Sequence, residues 1–449
     1  MTPQGILAFI VALSALVLVH ELGHFIVAKW AGIRVESFSI FFGRPVFAVR
    51  KAERGGWQFR SFAWRWGVPD EAFEGGETEY AIRWIPFGGY VKMAGQEDLG
   101  EAEITGQPWE FTSKPVSKRT AVIFAGPFMN FILAVVMFTW LNMQYGIVGR
   151  IGIGPAPEMR VKTVEAGSRA DSLGVQPGAK WVSVNGQLLT TWEALAKELE
   201  DAEQVTIELA SPSGRTLTVA LEHDLSDLYE FGVTWETDAV VGTLIPLEPA
   251  GEAGVRLGDR ILSVDGEAVD SWTAMSALVR RSPDRPVTLE VEREGRRRFV
   301  EVTPSMEIAV EQPEDGLRLP PFSALQTGIR QTWIVTVKIV RFIERVISGV
   351  LSPKYLAGPV GILHMTEVAA QRGLATYLVL VATLSANLGF INLLPLLVLD
   401  GGHLAILGFE GLTGKRPSAR QQGIMQHVGI VFLVGLMIMV TIIDLERLF

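Results

Sequence analysis

The sequence predicts a polytopic α-helical membrane protein with four membrane-spanning helices and two tandem, mainly-β domains inserted between the second and third. Three observations carry that prediction. Four long apolar runs are separated by ordinary polar sequence. The 449-residue chain has a mean hydropathy of +0.28 although 20% of its residues are charged, so apolar and polar segments must be segregated. The stretch between the second and third runs also repeats itself once.

The first apolar run is Ile6 to Val19, extended by Phe25 to Ala28, about enough to cross a ~30 Å hydrocarbon core as a helix. A secretory signal is the competing reading. It is disfavoured because there is no positively charged start and no A-x-A-like exit. The second run is Thr120 to Tyr145, the third Tyr377 to Leu399, and the fourth Val428 to Ile443. Lys29 with Arg34, Lys118 with Arg119, and Lys415, Arg416 and Arg420 all fall on one side if the chain crosses alternately. That orientation puts both termini and the segment 146–325 outside the cytoplasm. The expected divisions are 1–145 for the first two spans, 146–235 and 236–308 for the two β domains, 309–372 for a linker, and 373–449 for the last two spans. In the linker, residues 325–350 have apolar positions at helical spacing, interrupted by Lys338, Arg341, Glu344 and Arg345. This predicts an amphipathic helix at the membrane surface.

The repeat aligns GVQPGAKWVSVNGQ from Gly174 with GVRLGDRILSVDGE from Gly254, at an offset of 80 residues. Two small tandem domains suit that period better than a solenoid. Each copy reads as a strand (Trp181–Val184, Ile261–Val264) ending in Asn-Gly or Asp-Gly, the strongest short hairpin signal. Alternating apolar positions follow, as in Val287, Leu289 and Val291. The pattern resembles the PDZ family, whose groove accepts an added peptide strand. Peptide binding or size gating is one reading of the pair, and two spacer domains with closed grooves is the other.

Chemistry is concentrated in His20-Glu21-Leu22-Gly23-His24. On a helix the two histidines, four residues apart, sit one above the other on one face. Both imidazoles reach one zinc ion, with Glu21 placed to take a proton from water. Two histidines and a glutamate are costly inside an apolar span and default to function. A polar patch pairing with another helix is the structural alternative. The chain has no cysteine and six histidines, so further ligands must be His, Asp or Glu. Asp400, at the end of the third run and followed by Gly401 and Gly402, is preferred as the third ligand, since its charge offsets that of a dication. His403 is the rival.

HELGH in the first span and Asn392-Leu-Leu-Pro395-Leu-Leu-Val-Leu-Asp400-Gly-Gly in a late one resemble the two signatures of the site-2 proteases, a family of intramembrane zinc metalloproteases. Gly126-Pro-Phe-Met-Asn130-Phe131 resembles a third family element. Pro86-Phe-Gly-Gly-Tyr-Val-Lys-Met93 resembles the family's membrane-associated β-hairpin loop. The resemblance implies that His20, His24 and Asp400 hold Zn2+ and that Glu21 is the general base. It further implies that Asn387, Asn392, Pro395, Asn130, Gly88 and Gly89 contact an unwound substrate segment. Helix–helix hydrogen bonding for the asparagines, and a plain turn for the glycines, are the alternatives. Leu397 stands where the family pattern has a second proline, which predicts a less pronounced helix break before Asp400. The insert Trp64 to Glu79, with its acidic run, has no family counterpart and reads as a solvated loop.

The implied partners are single-span membrane proteins and the lipid bilayer, with peptide contacts through the PDZ-like pair. The implied location is the inner membrane of a bacterium. A net charge of −9 without any large basic block argues against nucleic acid. A transporter would need more intramembrane polar residues and an inverted repeat. A silent membrane chaperone would not need Glu21.

Overall fold

The computed structural model describes residues 2–51, 56–61, 78–96, 105–150, 153–155, 159–184, 186, 204–212, 214–222, 232–245, 248–308, 316–349, 356–396, 398–415 and 417–448. In chain order the first elements are α1 (Pro3–Trp30), β1 (Val35–Lys51), β2 (Trp57–Ser61), β3 (Glu79–Met93) and α2 (Val116–Gln144). Next come β4 (Ile147–Arg150), β5 (Ile153–Pro155), β6 (Met159–Val164), α3 (Arg169–Ser172), β7 (Lys180–Val184), β8 (Gln204–Ala210), β9 (Thr216–Glu222) and β10 (Val233–Thr237). They are followed by β11 (Val241–Leu244), α4 (Pro249–Ala253), β12 (Arg260–Val264), β13 (Glu267–Ala268), α5 (Trp272–Arg280), β14 (Val287–Arg293), β15 (Arg296–Val302) and β16 (Ser305–Ile308). The chain ends with α6 (Pro321–Ile347), α7 (Pro359–Gln371), α8 (Leu374–Asn392), α9 (Asp400–Thr413) and α10 (Ala419–Leu448). These elements form two compact units, Met1–Gln144 with Leu319–Phe449, and Tyr145–Arg318.

The first unit is built around α2, which packs against α1, α6, α8 and α9. Among the described residues four helices are long and apolar enough to cross a membrane: α1, α2, α8 and Gln421–Glu446 of α10. Glycine sets the closest approaches. A Cβ on Gly23 of α1 would stand 2.3 Å from the carbonyl oxygen of Ala125, and one on Gly389 of α8 3.0 Å from that of Pro127. The amphipathic stretch is helical, as its spacing predicts, and packs against α2: Gly328 meets Thr139, and Asn142 donates to Gln331 at 3.0 Å, both side chains buried. Arg119 on α2 donates twice to Glu410 on α9, at 3.0 and 2.6 Å. Asp444, buried on α10, accepts the backbone N–H groups of Gly358 and Gly361 and so caps α7.

The third span is shorter than the sequence predicts. Its helix stops at Asn392, and Leu393 to Leu399 turn back before α9 starts at Asp400. Pro395 lacks an N–H and restricts the residue before it, which favours a helix end here, although α2 carries Pro127 without a break. Leu397 lies outside the described residues. Pro395 alone accompanies a full break.

Strands β1, β2 and β3 make one sheet. The first half of β1 lies between the two halves of β3: Phe38 partners Val91 and Tyr80, and Ile40 partners Gly89 and Ile82. Its second half lies between β3 and β2, with Val49 partnered by Tyr80 and Phe59. Residues 89–93 therefore form one edge. Phe47, Trp57, Phe59, Ile82 and Trp84 are exposed, whereas Ser37, Ser39, Ala48 and Ala81 are buried. Of the insert expected as a solvated loop, residues 64–77 lie outside the described residues. Glu79 instead opens β3, buried and paired with Arg83 at 3.2 Å.

In the second unit the two repeat copies form a five-stranded sheet (β10-β6-β7-β8-β9) and a four-stranded one (β13-β12-β14-β15). The Asp-Gly turn is as predicted, with φ of 50° at Asp265 and 82° at Gly266. Asn185 lies outside the described residues. Strand pairing crosses the expected boundary at 235/236: β4 pairs with β16, and β5 with β11. Residues 147–150 and 153–155 thus add to strands of the second copy.

The second copy also buries a charge that the first lacks. Asp259, aligned with Ala179, is fully enclosed; it accepts Arg293 Nε and Nη2, both at 2.7 Å, and the N–H of Arg256 at 2.9 Å. Burial pushes the Asp259 carboxyl up, but these bonds and the guanidinium charge more than offset it and hold the group below its ordinary value. Its contribution to stability is therefore complete above the ordinary carboxylate range of about 4 and disappears as pH falls through the lower folded value. Asp259→Asn should lower the melting temperature of the 145–318 unit at pH 7, and the gap to the native sequence should narrow below about pH 4. Thermal denaturation by circular dichroism across pH measures both.

Candidate metal centre

His20 and His24 project from one face of α1, their rings 4.8 Å apart and nearly perpendicular. Both are buried. Asp400 opens α9, where the positive end of the helix favours a carboxylate. The break at 393–399 carries it there, and Gly401 makes the fold-back feasible: a Cβ would stand 2.2 Å from the carbonyl oxygen of Leu394.

Three donor atoms converge. His20 Nε2 and His24 Nε2 are 3.1 Å apart, and Asp400 Oδ2 lies 3.1 Å from the first and 3.4 Å from the second. Asp400 Oδ2 is buried without a hydrogen-bond partner, although two nitrogens stand beside it. Three donors about 2.0–2.1 Å from a tetrahedral ion would be spaced about 3.3 Å apart. The chemistry, the orphaned oxygen and the triangle all fit zinc. His24 is held in the tautomer such a ligand needs, because its Nδ1–H donates to the Val122 carbonyl on α2 at 2.8 Å.

Glu21 lies between the histidines in sequence, and its carboxylate accepts the backbone N–H of Val91 on the sheet edge. The Gly88-Gly89 pair belongs to that edge. Gly88 has φ 74° and would meet the Phe42 ring if it carried a Cβ; a Cβ on Gly89 would stand 2.9 Å from Ser39 O and 3.5 Å from Glu21 Cγ. Asn130 is fully enclosed, with its side-chain nitrogen 3.2 Å from His20 Nδ1; that of Asn392 is 3.5 Å from the same atom. Asn387 has a buried side-chain oxygen without a partner. Pro395 sits, exposed, in the break. His403, the rival ligand, is one turn beyond Asp400 and instead lines a cavity with Arg119 and Glu410.

The structure adds three residues that the sequence reading did not single out for the centre. Val122 contributes only a backbone carbonyl, which leaves no trace in residue type. Gly23 and Gly126 had a visible signal, each lying inside a quoted motif. A Cβ on Gly126 would stand 2.2 Å from His24 Nε2 and 2.9 Å from His20 Cε1.

Two histidines and a glutamate on a helix long and apolar enough to cross a membrane, joined by an aspartate at the start of a neighbouring helix, are the donor set of a membrane metallopeptidase. Comparison with known proteins agrees: the model of peptidase family M50 matches residues 8–67 and 52–436, and the chain belongs to that family. It is 31% identical to the putative zinc metalloprotease NMA0084 of Neisseria meningitidis, over 99% of both chains. It is 32% identical to the regulator of sigma-E protease RseP of Escherichia coli, over 98% of both, and 30% identical to the probable protease eep of Enterococcus faecalis, over 99% of this chain and 100% of that one. The chain is a zinc metalloprotease.

Because the Gly126 position admits no side chain beside two fixed imidazoles, Gly126→Ala should lower bound zinc about as severely as His24→Ala. Elemental analysis of the purified proteins gives the comparison.

Proposed function

We propose that this protease cleaves the transmembrane segment of single-span membrane proteins, with His20, His24 and Asp400 as zinc ligands and Glu21 as general base. The observation that carries the proposal is the convergence of three donor atoms, one of them an orphaned carboxylate oxygen, inside a bundle of membrane-length helices. Zinc, when bound, polarises water and the scissile carbonyl. Glu21 takes the proton from the attacking water and delivers it to the leaving amine. The Val91 N–H keeps its carboxylate turned to the site.

A helical substrate must unwind before its amides reach the centre, and in lipid the freed groups need partners. The edge at 89–93 offers backbone groups for strand addition, and Gly88 and Gly89 let it pack closely on Phe42, Ser39 and Glu21. Asn387, with an unpartnered oxygen, and Asn392, beside the break at Pro395, are placed to receive the remaining amides. Asn130 is enclosed and has no surface for a substrate. The exposed aromatic face of the β1–β3 sheet is of the composition that sits at a lipid boundary.

The bacterial relatives support an inner-membrane location, and the distribution of positive residues supports an orientation with the site toward the cytoplasm and 146–308 outside. There, two PDZ-like domains would filter substrates by size or hold a freed end. Several relatives are named as regulators of sigma E, so an anti-sigma factor already trimmed on its outer side, or a signal-peptide remnant, is the class of substrate to test.

Incubation of the purified protein with a single-span substrate tests the reading. Cleavage should stop on zinc chelation. Glu21→Gln should lower the rate by about 10²–10⁴-fold with bound zinc unchanged. Deleting 150–305 should relax discrimination against untrimmed substrates; discrimination that survives the deletion removes the gating role and leaves the chemistry standing.

A further inference from the structure

Two side-chain amides compete for one imidazole nitrogen. A histidine that presents Nε2 to a metal carries its proton on Nδ1, and that N–H needs an acceptor. His24 has the carbonyl of Val122. Around His20 Nδ1, among the described residues, the groups within hydrogen-bond distance are the amides of Asn130 at 3.2 Å and Asn392 at 3.5 Å. Both turn their nitrogens toward it, which places two donors on one ring nitrogen. Amide oxygen and nitrogen exchange places by a half-turn of the side chain, and the hydrogen-bond network decides between them. The Asn130 oxygen is buried and unpartnered, and the half-turn sets it on the Nδ1 proton.

The backbone singles out the same residue. Asn130 is enclosed in the middle of α2, and its carbonyl accepts the Ser385 hydroxyl of α8 at 2.8 Å. Asn392 is half-buried at the last turn of α8, beside the break. One site is fixed before substrate arrives; the other adjoins the segment that must receive it.

We propose that Asn130 is the positioning residue for His20. Its side-chain oxygen accepts the Nδ1 proton and holds the tautomer that presents Nε2, leaving the Asn392 amide for the substrate backbone. The assignment rests on the reading of His20, His24 and Asp400 as the zinc ligands.

The test uses the full chain in detergent, with zinc affinity measured by competition with a chromogenic chelator and thermal unfolding as the control for folding. Asn130→Leu removes the acceptor at nearly constant shape and should weaken zinc binding by about 10–100-fold. Asn130→Ala is a second variant without an acceptor and should do the same. Asn130→Asp keeps an acceptor oxygen and should restore the affinity. Asn392→Leu should leave zinc affinity unchanged while cleavage falls. Wild-type zinc affinity in a folded Asn130→Leu or Asn130→Ala protein, or an Asn130→Asp protein no better than these, overturns the proposal. Wild-type zinc affinity in His24→Ala overturns the metal site itself, and the role of Asn130 with it.

Discussion

Three lone pairs pointing at one another inside a membrane bundle are the constraint on which this architecture depends. Neither imidazole nitrogen nor the carboxylate oxygen can satisfy the other two, and water is scarce where the helices lie. A cation resolves the conflict, and the surrounding chain is arranged to bring the three atoms close enough for one. Gly23 admits the backbone of α2 against α1, and Gly126 then leaves the volume between the helices to the imidazoles. The central position of α2 follows: it supplies Val122 to one histidine and Asn130 to the other while carrying α6, α8 and α9 on its remaining surfaces.

Discontinuity is put to use twice. The interruption after Asn392 converts the end of a span into the beginning of a helix, so Asp400 arrives with a favourable dipole and a glycine that tolerates the fold-back. The sheet between the first two spans is folded so that its edge returns to α1, where the Val91 amide meets Glu21. His20, Glu21 and His24 share one regular helix, whereas Asp400 and the Val91 amide reach it from segments remote in sequence, each brought in by a local exception to regular structure.

The paired histidines were legible because helical geometry alone puts residues four apart on one face. The Asp-Gly hairpin was legible because Asp265 and Gly266 both need positive φ. The end of the third span was not, because Leu393, Leu394, Leu396 and Leu399 are as apolar as the helix before them and only Pro395 marks the change. The sheet was visible only in its Gly-Gly half: the partners of β1 switch along its length, and no single alternation records two neighbours. The enclosure of Asn130 beside His20 was not legible, since residue type says that a polar group is present but not which way it faces. The crossing of β4 and β5 into the second repeat copy was hidden for a related reason: sequence alignment reports similarity of segments, not the strands beside which they lie.

The cap that Asp444 places on α7 ties the two ends of the chain together. α7 packs against α1, and its first amides are satisfied by a carboxylate from α10. Without that carboxylate the N–H groups of Gly358 and Gly361 lose this partner, at a cost of about 1–3 kcal/mol for a buried donor left unsatisfied. The first span thus leans on a helix whose own seating is secured by the last.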